Sequence, residues 1–193
     1  EISTVEELEG HRVSIGEEES GTKQNALQIL AAYGLNEKLV EEVSLNYTEA
    51  AKELENGTID AFFCTAGVQT AAITNLAQRT GIRFLNVDSA AAARLKKSYP
   101  VYDSCIIAAG TYPGQEEDVS TVGVKAVLLA SDSVSAEVVE ELTALLFEEQ
   151  QELDFALPVE LITDADAAVA GILVPFHKGA ERYYESRGEK SEN

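Results

Sequence analysis

Short β-rich runs alternate with helical patterns along this chain, and that alternation constrains its fold more than any other feature. His11–Gly16 is typical of a strand, Thr22–Tyr33 carries apolar residues at helical spacing, and Ile59–Ala66 is a nearly continuous apolar strand. This order with short connections predicts an α/β unit with a mainly parallel sheet flanked by helices. The remaining predicted strands are Leu39–Leu45, Ile82–Val87, Asp103–Ala109 and Thr121–Ala130, and the remaining predicted helices are Thr48–Glu55, Gln69–Arg79, Ser89–Lys97, Ser135–Gln151, Asp164–Ala170 and Gly179–Ser186.

Two local signals refine this pattern. Ser89 is a good N-cap residue for the helix that it opens. Gly110–Asp118 is rich in turn formers and charge, which predicts a linker between the α/β unit and the more helical remainder.

The charge of the chain argues against nucleic-acid partners. The formal net charge is −20 at pH 7, and a field of that sign repels phosphate backbones. It does not exclude an acidic ligand, because backbone N–H groups can hold an anion locally. The chain also has no run of 18 apolar residues.

Cys64 and Cys105 are the two cysteines, and they are not arranged as a CxxC motif. A zinc site and a disulfide scaffold are therefore not expected. Both residues fall in apolar strand-like runs, which favours buried free thiols. A bridge between them remains an alternative that only geometry can decide.

The first candidate site is the turn Gly16–Thr22, between a predicted strand and a predicted helix. Either Ser20 or Thr22 can serve as the N-cap, and Gly21 lets a ligand approach the backbone closely. Free N–H groups at a helix start, together with two hydroxyls, form a seat for a carboxylate or phosphate. The segment lacks the Walker and Rossmann patterns, so no nucleotide cofactor is expected. A simple helix cap explains the same residues.

The second candidate is Thr65–Gln69, which includes Gly67, Val68 and Gln69, and it also follows a strand. In open α/β sheets, ligands bind at the carboxyl ends of strands, where two such turns converge. Tyr112, beside the predicted linker, can cover a ligand or pack a hinge.

The sequence lacks the common catalytic motifs. There is no GxSxG, HExxH or Cys–His arrangement, so neither an enzyme nor a metal site is expected. His177 has no evident partner and is predicted to be a structural or capping residue.

Four segments taken together resemble the TAXI family of TRAP transporter solute receptors, over residues 6 to 188. They read LEGHRVSIGEEESGT, ELENGTIDAFFCTAGVQTAAITNLA, YPVYDSCIIAAGTYPGQEEDVSTVGVKAVLLAS and VPFHKGAERYYESRG. The resemblance implies the fold of a type II periplasmic binding protein, with residues 1–112 as the second, ligand-binding lobe. Residues 113–193 would be a hinge crossover and a helical return segment that completes a first lobe missing from this sequence.

The resemblance also implies a function. A receptor of this family captures a small organic anion or amino acid, such as glutamate or 2-oxoglutarate, in a cleft and delivers it to TRAP membrane permease subunits. It is periplasmic, or anchored at the cell surface as a lipoprotein. By motif, Ser20, Gly21 and Thr22 would contact the ligand, Gly67, Val68 and Gln69 would line the cleft, and Tyr112 would sit at the hinge.

Two alternatives remain. A ligand-sensing domain uses the same fold for signalling, and an adjoining DNA-binding or kinase segment would favour it. A transferase on this fold would need a general base in the cleft, and no residue specifically qualifies.

Overall fold

The computed structural model describes residues 2–36, 38–149 and 164–188. The chain divides into two compact units, Glu1–Val124 and Lys125–Asn193. No helix within the described ranges is both long enough and apolar enough to cross a membrane.

The first unit is built on a parallel sheet, which confirms the predicted α/β class. Its central strand is β1 (Arg12–Ser14), with β2 (Glu41–Val43) on one side and β3 (Ala61–Phe62) on the other. In this register Val13 lies opposite both Glu42 and Ala61. The helices of this unit are α1 (Gly21–Ala32), α2 (Tyr47–Glu55), α3 (Ala71–Arg79) and α4 (Ser89–Ser98).

An antiparallel pair completes the first unit. Strand β4 (Tyr102–Ile107) pairs with β5 (Val119–Val124), so that Cys105 lies opposite Thr121. Gly110–Asp118, predicted as a linker between units, is therefore part of the loop of a β-hairpin inside the first unit. The strand predicted to extend to Ala130 ends at Val124.

The core of the first unit surrounds β1. Val13, Ser14 and Ile15 are all buried although their side chains alternate in direction, so this strand is covered on both faces. Helices α1 and α4 cover it with a common set of small and branched side chains, which are Ala26, Ile29, Leu30, Ala91, Ala92 and Leu95.

Two predictions near α4 are wrong. Ile82–Val87 is not a strand, because it makes only one backbone hydrogen bond to β5, from Val87 N to Ser120 O at 2.9 Å. The next bond is taken by a side chain, since Asn86 Oδ1 accepts from Ser120 N at 2.8 Å. The N-cap of α4 is Asp88 rather than Ser89. Asp88 Oδ1 accepts from the N–H groups of Ala90 and Ala91 at 2.8 and 2.9 Å.

The second unit contains α5 (Ala136–Glu148), α6 (Ala165–Val169) and α7 (Lys178–Ser186). Ser135 is the N-cap of α5, which confirms the predicted start of this helix, and its predicted end at Gln151 lies outside the described residues. Helices α5 and α7 meet where Phe147 stacks on Tyr183, with ring centroids 5.5 Å apart. His177 is the N-cap of α7, since its Nδ1 accepts from Gly179 N at 3.1 Å, which confirms its predicted capping role.

Candidate functional site

Three strand-to-helix turns lie at one edge of the parallel sheet. Residues 15–20 join β1 to α1, residues 44–46 join β2 to α2, and residues 63–70 join β3 to α3. The carboxyl ends of parallel strands share an edge, so the two turns predicted as ligand loops lie on the same side of the sheet.

The first turn depends on Gly16. Its φ is +98°, and a Cβ added there would lie 2.8 Å from Thr22 Cβ and 3.0 Å from Ser20 Oγ. Only glycine fits both the backbone angle and the space. Ser20 then caps α1: its Oγ accepts from Lys23 N at 3.1 Å and donates to Glu17 O at 2.7 Å. The Ser20 hydroxyl therefore has no proton left to donate to a ligand.

One of the three consecutive glutamates beside this turn is neutralised locally. Glu18 Oε1 accepts from Lys23 Nζ at 2.6 Å and from Ser44 Oγ at 2.8 Å. These bonds, the one from Lys23 foremost, hold the pKa of Glu18 below its usual value. Glu17 and Glu19 are exposed, and Glu19 adopts a left-handed φ of +61°.

Tyr47, the first residue of α2, joins two of the turns. Its hydroxyl lies 2.5 Å from Thr22 Oγ1, donates to Thr65 O at 2.8 Å, and accepts from Thr65 N at 3.2 Å. Thr22 is buried, with 6% of its surface exposed. The start of α1 and the turn after β3 are thus tied together through the first residue of α2.

The second turn presents Gly67, Val68 and Gln69 to solvent, and Val68 is 50% exposed. Gln69 has a left-handed φ of +62°, and Thr70 Oγ1 donates to Gly67 O at 2.7 Å, which closes the turn. Cys64 lies just before it as a free thiol, and burial raises its pKa to about 11. That thiol therefore stays protonated at neutral pH.

Cys105 is also free, as expected, but it is exposed and Cys64 is half-buried, so the prediction that both thiols are buried is wrong for Cys105 and holds only in part for Cys64. Its position on β4 faces away from the core, where hydrophobic character in the sequence does not imply burial.

Tyr112 stabilises the second turn through a hydrogen bond at its hydroxyl. It is buried, with 4% of its surface exposed, and its hydroxyl accepts from Thr70 N at 3.2 Å. Its ring packs against Phe84, with centroids 5.1 Å apart. Gln115 holds the surrounding loop by accepting from Tyr112 N and donating to the carbonyls of Ile107, Ala108 and Glu117.

The structure therefore gives the predicted site residues different roles. Within the described residues, Thr22 connects through Tyr47 to Thr65 in the second turn, whereas Gly67–Gln69 are held by Thr70 and Tyr112. Tyr47 was not among the residues predicted to belong to the site. Its signal was its position, since Tyr47 follows β2 at the same kind of turn as the two candidate loops.

Among the residues that the structure describes, no three His, Cys, Asp or Glu side chains cluster closely enough to hold a metal ion. The chemistry that this edge offers is hydrogen bonding from backbone N–H groups, hydroxyls and loop carbonyls.

Comparison with known proteins gives a structure of limited similarity and a family match. The periplasmic aliphatic sulphonate binding protein SsuA from Escherichia coli is 17% identical, with a TM-score of 0.46. The match covers 81% of this chain and 42% of that one, so the chain spans less than half the length of SsuA. A family profile described as the NMT1-like family matches residues 1–188. The chain therefore belongs to the NMT1-like family.

Proposed function

We propose that this chain is the ligand-binding part of an extracytoplasmic solute-binding receptor, and that it captures a small organic anion of the glutamate or 2-oxoglutarate type. The observation that carries the proposal is the open start of α1 at the carboxyl edge of the parallel sheet. Membership in the NMT1-like family and the resemblance to TAXI receptors support it.

The donors of this seat are backbone groups. Ser20 caps the Lys23 N–H, and Gln24 N donates to Ser20 O at 3.3 Å. The N–H groups of Gly21 and Thr22 have no acceptor among the described residues. A carboxylate placed there would satisfy both groups, and the dipole of a 12-residue helix would favour its charge.

The remaining predicted residues have supporting roles in this proposal. Gly67, Val68 and Gln69 line the cleft from the second turn, and Tyr112 holds that turn in place. Thr22 and Ser20 shape the first turn, since their hydroxyls are already hydrogen-bonded within the chain. The ligand therefore meets mainly backbone N–H groups on this lobe.

We extend the proposal to the transport partner and the lobes. Residues 1–112 form the second lobe of the receptor, and residues 113–193 form the hinge crossover and the segment that returns to a first lobe. The bound anion is delivered unchanged to TRAP membrane permease subunits, without turnover.

The decisive experiment removes one N–H group and leaves the helix intact. Proline is tolerated at the first position of a helix, and Ser20 already has the extended backbone (φ −82°, ψ 153°) that a following proline requires. We expect Gly21→Pro to weaken binding of L-glutamate or 2-oxoglutarate to the full chain by about 10- to 150-fold, the loss of one hydrogen bond to a charged group.

Gly21→Ala is the matched control, because it keeps the N–H and its Cβ has no neighbour within 4 Å. Isothermal titration calorimetry of the wild type and of both variants with L-glutamate and with 2-oxoglutarate measures the affinities. Absence of anion binding to the wild type, or equal affinities of Gly21→Pro and Gly21→Ala, would contradict the proposal.

A further inference from the structure

Tyr47 occupies a position that the proposed ligand contacts do not explain. It belongs to neither candidate loop, yet its hydroxyl reaches residues 25 positions before it and 18 positions after it. The Tyr47 side chain is half-buried: its contact with Thr22 is partly buried, and its bond to Thr65 is exposed.

The hydrogen-bonding capacity of this hydroxyl is fully used. A phenol has one proton to donate and two lone pairs with which to accept. The proton goes to Thr65 O, and one lone pair takes the Thr65 N–H. The contact with Thr22 must therefore be donated by the Thr22 hydroxyl, which fixes the direction of that side chain.

A second set of contacts holds the same residues from α1. Asn25 Nδ2 donates to Thr65 Oγ1 at 3.2 Å, and Tyr102 donates to Asn25 Oδ1 at 2.8 Å. Both the backbone and the side chain of Thr65 are thus anchored, and each anchor leads to the first turns of α1.

The position of Tyr47 is itself set by a capping box. Asn46 Oδ1 accepts from Glu49 N at 2.9 Å, and Glu49 Oε2 accepts from Asn46 N at 3.4 Å. This reciprocal pair fixes where α2 begins and hence where its first residue points.

We propose that Tyr47 is a positioning residue of the ligand site: its hydroxyl fixes the start of α1 against the turn after β3, and so sets the direction of the Gly21 and Thr22 N–H groups. This inference rests on the proposed function. Tyr47 does not touch the ligand in this arrangement, because its hydroxyl has no capacity left for a further bond.

The test compares Tyr47→Phe with Tyr99→Phe, which removes a hydroxyl from an exposed tyrosine elsewhere in the first unit. Hydrogen exchange of the full chain without ligand is measured first. In Tyr47→Phe, we expect faster exchange at Thr65 N and in the first turn of α1. Exchange at Ile15 N, which donates to Val43 O inside the sheet, should be unchanged.

Affinity is measured next, with L-glutamate and 2-oxoglutarate as probes. We expect Tyr47→Phe to weaken binding about threefold to tenfold and Tyr99→Phe to leave it unchanged. Thr22→Val breaks the same Thr22–Tyr47 bond, so the double variant Thr22→Val/Tyr47→Phe should bind only about as weakly as the weaker single variant.

Three results for Tyr47→Phe would overturn this role. They are an exchange rate at Thr65 N equal to that of the wild type, exchange rates that rise equally throughout the first unit, and a ligand affinity equal to that of the wild type. Strictly additive losses in the double variant would also overturn it. If the wild type binds neither anion, the proposed function fails together with this role, and that failure is recognised because it is already present before any substitution.

Discussion

The two compact units are stabilised by different kinds of contact. Glu1–Val124 has a core around β1 in which Leu8, Ile15, Leu30 and Leu95 are almost completely buried. In Lys125–Asn193 the described helices meet over a few aromatic rings, while α5 exposes an apolar stripe. That stripe consists of Val138, Leu142 and Leu145, which are 54%, 42% and 46% exposed.

This difference shows where single residues matter most. Burial of apolar surface is spread over many side chains in the first unit, so its stability has many contributors. The packing of α5 on α7 depends on a close approach at Gly179 and on the cluster of Phe147, Tyr183 and Tyr184. Polar contacts in the first unit serve mainly to fix turns and strand ends.

The largest expected effect comes from Gly179→Ala. A Cβ at this position would overlap Ala136 O and lie 2.7 Å from Glu140 N, and both are backbone atoms of α5 that cannot move independently. We expect a loss of about 1–3 kcal/mol in the free energy of unfolding of the second unit. Urea denaturation, with hydrogen exchange in α5 and α7, measures it.

Gly21→Ala is the matched substitution in the first unit, also in the first turn of a helix. A Cβ there has no neighbour within 4 Å, so stability should stay within about 0.5 kcal/mol of the wild type. Equal destabilisation by the two substitutions would remove the contrast between the units.

The second prediction concerns acid stability of the first unit. Arg12 donates to both Asp60 oxygens, at 2.7 and 3.0 Å, and this pairing lowers the pKa of Asp60 to about 2. Because the folded pKa lies below the unfolded value near 3.9, the stabilisation is complete above about pH 4 and is lost as the pH falls towards 2. Since the Asp60 side chain is 27% exposed, we expect this pairing to contribute about 1–2 kcal/mol to the free energy of unfolding at neutral pH.

Denaturation of the wild type and of Asp60→Asn between pH 6 and pH 2 (roughly the window in which carboxylates titrate) tests this. The two curves should converge at the acid end. Glu137→Gln in the second unit is the control, because the exposed Glu137 lies 3.5 Å from Arg182 and should add little. A constant difference between wild type and Asp60→Asn at every pH would contradict the assigned pairing.

The smallest expected effect is that of His177→Ala. Loss of the side chain that accepts from Gly179 N should destabilise the start of α7 by about 0.5–1 kcal/mol. His177→Asn provides another capping acceptor and should retain most of the stability. Exchange rates in the first turn of α7 measure the difference, and indistinguishable rates in the two variants would argue against a capping role.

Much of the fold could be predicted because the signals are local. Ser20, one of two expected caps, does cap α1, and α5 begins where a helix was predicted to start. The turn at Gly16 needs a glycine for reasons of backbone angle and space. The false strand at Ile82–Val87 shows the limit of such signals. An apolar run becomes a strand only if a neighbour offers a full ladder of hydrogen bonds, and here Asn86 takes one of those bonds with its side chain.

The sequence predicted where the candidate site lies but not which groups in it are free to contact a ligand. Two glycine-containing turns after apolar strands indicated one edge of a sheet, and the parallel order β2-β1-β3 places both turns there. The sequence did not reveal that the Ser20 and Thr22 hydroxyls are already engaged, or that Tyr112 is buried under the second turn.

The sequence by itself determined most of the alternation of strands and helices, the glycine at the first turn and the caps at Ser20 and His177, since each depends on neighbours a few positions away. Only the tertiary structure decided that Tyr47 joins the start of α1 to the turn after β3. Those contacts span 25 and 18 positions, and they exist because parallel pairing brings three strand ends to one edge. A tyrosine at the start of a helix shows no local sequence signal of such a role, because the pairing of the strands determines which residues lie near it.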